Sequence, residues 1–254
     1  MKPVEQLQVA LTLFTVREFT QTPADIPRTL KRLKQIGFDH VQLSALGPID
    51  TRELKRMLDG ENVNVIATHI GLPRLRDELP AVIEEHHILG CPHVAIGALP
   101  DEMRNAAGYA AFAREGSQIG RQLAAAGLTF SYHNHWWELE PIGDTSGLDV
   151  IYGESDPDAL LAEIDTAWIY RGGGDPAAWI RRLAGRQRIG HLKDTSWPDY
   201  PTLELGAGEL DWPSILAAAR DAGIEYGIIE QDHCPGDAFE CVAASLRRLR
   251  QWLT

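Results

Sequence analysis

Residues 124–135 read AAAGLTFSYHNH. An alanine run, the best of helix formers, stops at Gly127, and glycine takes the left-handed conformation that closes a helix without steric cost. Directly behind it, Thr129–His133 is short, β-prone and bounded by polar residues, so the segment reads as helix, glycine cap, strand. The same joint recurs as Ile36-Gly37-Phe38, Leu89-Gly90-Cys91 and Ala222-Gly223-Ile224. Four such joints, separated by whole strand–helix units, predict parallel strands connected by helical crossovers.

Working outward, eight strands are expected: Val9–Phe14, His40–Leu43, Val63–His69, His93–Gly97, Thr129–His133, Ala162–Asp165, Arg188–Leu192 and Gly227–Glu230. The segments between them carry helical periodicity, as in Pro27–Ile36, where Leu30, Leu33 and Ile36 turn toward one side. Eight βα units in 254 residues is the arithmetic of a closed α/β fold, the (β/α)8 TIM barrel, built as a single domain over residues 1–254. A doubly wound sheet would require a glycine-rich turn after the first strand, and residues 15–23, TVREFTQTP, contain no glycine. The clusters Gly172-Gly173-Gly174 and Gly206-Ala207-Gly208 precede Asp175-Pro176 and Asp211-Trp212-Pro213 and read as turns ahead of helix N-caps.

Composition narrows the partners. With 24 Lys+Arg against 36 Asp+Glu the formal charge is −12, which argues against a protein that neutralises nucleic-acid phosphates or an anionic membrane. A small-molecule substrate, neutral or reached through a cation, is expected instead, with self-association of the barrel left open. The three cysteines, Cys91, Cys234 and Cys241, form neither a disulfide framework nor a CxxC pair. That usage, the absence of a signal-peptide pattern and the lack of an apolar run of about 18 residues make a reducing cytoplasm the expected compartment.

Barrel enzymes carry their chemistry at the C-terminal ends of the strands. Strands five to eight end on His133, Asp165, His191 and Glu230, separated by 32, 26 and 39 residues, each about one βα unit. Two imidazoles and two carboxylates without a thiolate suit one divalent metal ion, and their softness does not choose among Mn²⁺, Zn²⁺, Co²⁺, Fe²⁺ and Mg²⁺, of which Mn²⁺ is the one expected. Because strand side chains alternate, His133 and His135 point the same way, so one can ligate while the other moves protons. His135 is the expected general base, and Glu138 in the following loop can stand in as base or ligand. His69, ending the third strand, is a further candidate for substrate contact or catalysis. Lys193 shares the inward face of His191 and can stabilise an oxyanion, unless Asp194 pairs with it. Trp136, Trp137, Trp168 and Trp197 follow strands five to seven, and Trp137, Trp168 and Trp197 are expected to stack on a sugar. His40, His86, His87 and His93 fall mid-helix or at strand starts and read as structural.

Taken together, Leu13-Phe14-Thr15-Val16-Arg17, Ala67-Thr68-His69, Tyr132-His133-Asn134-His135, Asp165-Thr166-Ala167-Trp168, His191-Leu192-Lys193-Asp194, residues 206–212 and Ile229-Glu230-Gln231-Asp232 resemble the xylose isomerase-like barrels. That superfamily includes sugar phosphate isomerases and epimerases, inosose dehydratase and endonuclease IV. The resemblance implies one divalent ion held by Glu, Asp, His and Glu, of which Asp165, His191 and Glu230 match the last three. His133 departs from the first position, Ser44 stands where many relatives carry a glutamate, and Trp168 where epimerases have a substrate-binding histidine.

The leading expectation is a metal-dependent sugar or sugar phosphate isomerase or epimerase that abstracts a proton beside a metal-bound carbonyl. The alternative is a dehydratase or lyase performing β-elimination on a keto-inositol or 3-keto-glycoside. A third, of another class, is a non-catalytic sugar-binding or partner subunit. A DNA-repair nuclease, suggested by residues 191–196, conflicts with the net charge.

Overall fold

The computed structural model describes residues 7–254. Eight parallel strands surround the axis: Gln8–Thr12, His40–Leu43, Asn64–His69, His93–Ile96, Thr129–His133, Leu161–Glu163, Ile189–Leu192 and Tyr226–Ile229. Each pairs with its sequence neighbour, and the first also pairs with the eighth, Gln8 opposite Tyr226. Between the sixth and seventh strands the ladder thins to two parallel bridges, Ala162 with Gln187 and Asp165 with His191. Their hydrogen bonds, Ala162 N–H to Arg186 O at 2.8 Å and His191 N–H to Ile164 O at 2.9 Å, complete a (β/α)8 barrel as expected.

The strands are apolar on their outer face because helices cover it. Val41, Val65, Val94, Ile96, Phe130 and Leu192 are all buried in the main core, with helix residues such as Leu30, Leu33, Phe112 and Leu246. The joint glycines behave as read: Gly37, Gly90, Gly127 and Gly223 have φ of 116°, 68°, 80° and 78°. Asp175 and Asp211 cap the helices Pro176–Arg182 and Trp212–Ala222. Among the described residues no helix is long and apolar enough to cross a membrane.

One local expectation fails, and one element lies outside the expected set. The first strand stops at Thr12 instead of running to Phe14, because Leu13–Phe19 winds into 3-10 turns opened by the Thr12 hydroxyl, which accepts from Phe14 N–H. A short antiparallel ribbon, Pro141–Ile142 with Thr145–Ser146, is inserted after the fifth strand.

His93 opens the fourth strand at the end opposite the cavity and is buried, its Nδ1 2.6 Å from Thr129 Oγ1. Burial pushes its imidazole down to about 4. An unfolded histidine titrates near 6.5, so below that pH the unfolded chain takes up a proton that the folded chain refuses. This contribution to stability is complete above pH ~6.5 and is lost as the pH falls toward about 4. His93→Gln is expected to flatten the acid limb of the stability profile by up to about 3 kcal/mol between those limits, measured by urea unfolding at stepped pH. An unchanged acid limb contradicts the assignment.

Candidate functional site

Strand alternation at Thr129–His133 sends Tyr132 outward and His133 inward. The His133 Nδ1 lies 3.1 Å from the Gly97 carbonyl, which can only accept, so Nδ1 donates there and Nε2 is the ring nitrogen turned to the site. His133 Nε2 faces Asp165 Oδ2 at 3.4 Å, both atoms are buried, and the charged neighbour that Asp165 Oδ2 has is the Lys193 ammonium at 3.1 Å. A ring nitrogen and a carboxylate oxygen that close require a proton or a cation between them. Asp165 is held in this orientation from behind: its Oδ1 accepts from Trp168 N–H and its own N–H donates to Asn134 Oδ1, both at 3.0 Å.

His191 and Glu230 complete the group. His191 Nδ1 is 2.7 Å from Glu230 Oε2, and one candidate ligand atom from each of His133, Asp165, His191 and Glu230 lies within 4.8 Å of the others. All four side chains are buried. The donor set, its orphaned atoms and its excess of carboxylates fit a divalent cation.

Lys193 is the fixed cation of the site. Its Nζ lies 2.9 Å from Glu230 Oε2, 3.1 Å from Asp165 Oδ2 and 3.0 Å from Asp232 Oδ2, and 4.5 Å from the centre of the Trp168 ring. Burial disfavours this ammonium, and the carboxylates of Asp165, Glu230 and Asp232 overcome that, raising its pKa so that it stays charged. Burial would likewise push His191 down, but Glu230 and Glu163 hold it up to about 10. For His135, burial reinforced by His133 and Lys193 keeps the imidazole well below its ordinary range, hence neutral.

A cavity of about 330 Å³ opens above this group, lined on its polar side by Ser44, His69, His133, His135, Lys193 and Glu230. The His69 and His135 rings both neighbour His133, with centroids 5.2 and 5.0 Å from it.

Residues 30–252 match the family model described as xylose isomerase-like TIM barrel. The chain belongs to that family. The whole length of this barrel superposes on a sugar phosphate isomerase/epimerase from Parabacteroides distasonis ATCC 8503 with a TM-score of 0.84, at 21% identity, over 98% of that chain. An L-ribulose 3-epimerase is similar at a TM-score of 0.75 and 18% identity, over 97% of this chain and 94% of the other. A probable 3-DHS dehydratase from Bacillus anthracis, AsbF, gives 0.72 and 13%, over 96% and 99%. No curated protein sequence matches.

Within this xylose isomerase-like barrel, the cavity collects His69, His133, His135, Trp168, Lys193 and Glu230, with Asp165 and His191 fully buried beside them. Other sequence-predicted positions lie elsewhere. Glu138 is turned behind the fifth strand, where its carboxylate accepts from the Tyr132 hydroxyl and, at 2.7 Å, from His135 N–H. It is fully buried and does not line the cavity, and both of its oxygens are taken up in holding the His135 turn. Trp137 packs against His135 at 4.1 Å, with the Arg104 guanidinium over its ring, and does not line the cavity. Trp197 stands 66% exposed beside Tyr200, outside the cavity. Asp194 does not pair with Lys193; strand alternation sends it to the other face, where its Oδ2 accepts from Gly206 N–H at 2.6 Å and Trp212 Nε1–H at 2.8 Å.

The sequence reading missed Glu163 and Gln42. Both are fully buried, and Gln42 Nε2 donates to Glu163 Oε1 at 2.7 Å. Glu163 lies two residues before Asp165, so period-two alternation was the available signal.

If Glu138 is an anchor, Glu138→Ala strands the Tyr132 hydroxyl and the His135 amide, a loss of roughly 2–5 kcal/mol of stability. Thermal and urea unfolding would show it, while affinity for Mn²⁺ stays near that of the wild type. Wild-type stability with abolished Mn²⁺ binding would make Glu138 a ligand after all.

Proposed function

We propose that this barrel is a metal-dependent enzyme that isomerises or epimerises a keto-sugar by moving the proton on the carbon beside its carbonyl. The observation carrying the proposal is the pair of facing atoms, His133 Nε2 and Asp165 Oδ2, buried on the floor of a cavity that His135 also lines. His133, Asp165, His191 and Glu230 would hold the ion. A divalent ion there supplies Lewis acidity, polarising the ketone and so acidifying the neighbouring carbon-bound proton.

The chain's own groups do the rest. His135, held edge-on to His133 and stacked on Trp137, takes the proton. Lys193, locked among three carboxylates, holds positive charge beside the oxygen that becomes anionic. Trp168 and Phe14 give the cavity apolar surface against which the C–H face of a sugar packs. Return of the proton to a different carbon, or to the other face of the same carbon, completes isomerisation or epimerisation.

An unphosphorylated sugar fits best. Barrels commonly hold phosphate in the loops after strands seven and eight. Here the Gly206–Gly208 turn spends its N–H groups on Asp194, at 2.6 and 3.3 Å, so an internal carboxylate occupies that position. The one cation lining the cavity among the described residues, Lys193, is already paired three times.

A second reading shares the proton removal and then expels a β-substituent, as a dehydratase or lyase does. The imidazole-rich wall, with His133 in place of a second carboxylate, favours it. Product analysis separates the two, since elimination releases water or an aglycone.

The test is deuterium wash-in by NMR on unphosphorylated ketoses with Mn²⁺ supplied. His135→Ala is expected to lower exchange by about 10²–10⁴ while retaining one ion per chain by elemental analysis. Wild-type exchange in the variant would move the proton chemistry elsewhere. No exchange in wild type across the ketoses, or a protein without bound ion after Mn²⁺, Co²⁺ and Zn²⁺ soaking, would overturn the proposal.

A further inference from the structure

Beneath the cavity, a carboxylate that does not line it touches two of the rings of the site. Glu163 Oε2 is 3.1 Å from His69 Nε2, and its Oε1 is 3.1 Å from His191 Nε2. Gln42 closes the group: its Nε2 donates to Glu163 Oε1 at 2.7 Å, and its Oε1 lies 2.8 Å from His191 Nε2. The opposite nitrogen of each ring looks the other way, His191 Nδ1 to Glu230 Oε2 at 2.7 Å and His69 Nδ1 to Ser44 Oγ at 3.3 Å.

Donor and acceptor chemistry then leaves little freedom. Carboxylate and amide oxygens only accept, so both Nε2 atoms must bring a hydrogen to them. The Gln42 amide cannot be turned around, because its NH₂ would then face the Nε2–H of His191 and its oxygen would face Glu163. His69 is therefore left with a lone pair on Nδ1, which accepts from the Ser44 hydroxyl on the cavity wall.

We propose that Glu163 is a positioning residue: by holding the Nε2–H of both His69 and His191 it fixes which nitrogen each ring turns outward. His191 thereby turns Nδ1 toward the cluster of Asp165 and Glu230, where it donates to Glu230 Oε2 and would ligate an ion only on giving up that proton, and His69 presents an acceptor to Ser44 and to a substrate hydroxyl lodged beside it. The His191 half rests on the ion site proposed above; the His69 half does not. Ring orientation through an outer hydrogen bond is a general device of metal-binding histidines, and its loss typically weakens metal affinity 10–100-fold.

Glu163→Gln keeps the shape and replaces one acceptor with an NH₂ group. That group must meet Gln42 Nε2–H, His69 Nε2–H or His191 Nε2–H, and the conflict is relieved when a ring moves its proton to Nδ1 or rotates.

The experiment uses full-length protein labelled with ¹⁵N-histidine, with long-range ¹H–¹⁵N correlation spectra and no substrate. Wild type is expected to show His69 as the Nε2–H tautomer. In Glu163→Gln, folded by circular dichroism, at least one of the two rings should lose its Nε2 proton. Affinity for Zn²⁺, read by competition with a chromophoric chelator, should fall 10–100-fold. A wild-type spectrum with His69 as Nδ1–H overturns the proposal even if the variant fails to fold. A folded variant with both Nε2 protons retained and Zn²⁺ affinity within twofold of wild type overturns it as well. If wild type binds no Zn²⁺, the ion site falls, and the His69 tautomer alone decides the role of Glu163.

Discussion

Charge buried at the mouth of the barrel must be matched where it is buried, and much of the site follows from that constraint. Glu163, Asp165, Glu230 and Asp232 converge on a region whose only ammonium among the described residues is Lys193. A carboxylate withdrawn from water costs several kcal/mol unless it is paired and hydrogen-bonded. Each of the four is accordingly tied down: Glu163 by Gln42 and two imidazoles, Asp165 and Glu230 by Lys193 and histidines, and Asp232 by Lys193. Four negative charges against one fixed positive charge still leave an anionic pocket, whose carboxylates could hold a divalent cation. Protonated His191 offsets part of the excess.

The same requirement explains the neighbours that carry no charge. Gln42 is fully buried yet spends both ends of its amide, one on Glu163 and one on His191. The ring of Trp168 lies below the ammonium of Lys193, so it serves the ion network as well as the cavity wall. Glu138 solves a separate problem, since the sharp turn after His133 leaves the His135 amide and the Tyr132 hydroxyl to be satisfied away from water.

The barrel was legible because its periodicity is long and repeated: glycine caps recur at four joints, and strand ends recur about one βα unit apart. The rim residues His133, Asp165, His191 and Glu230 were legible for the same reason. Less visible features share a cause, which is that adjacency in sequence says little about partners in space. Lys193 and Asp194 are neighbours, yet alternate strand faces send one to the cavity and the other to the Gly206 turn. Glu163 was masked by Asp165 two residues on, although both carboxylates fall on one face. Gln42, a neutral amide in a four-residue strand, has no sequence signature, and the direction of Glu138 depends on a loop whose path periodicity does not encode.

The central claim is that the facing atoms on the cavity floor form a cation site. Anomalous diffraction from a crystal soaked in Mn²⁺ tests it directly. The account predicts one strong peak at about 2.0–2.3 Å from His133 Nε2, Asp165 Oδ2, His191 Nδ1 and Glu230 Oε2, with Lys193 displaced from the shared oxygens or bound beside the ion. A well-ordered site with no anomalous peak there, and Lys193 Nζ still seated against Asp165 and Glu230, would contradict it.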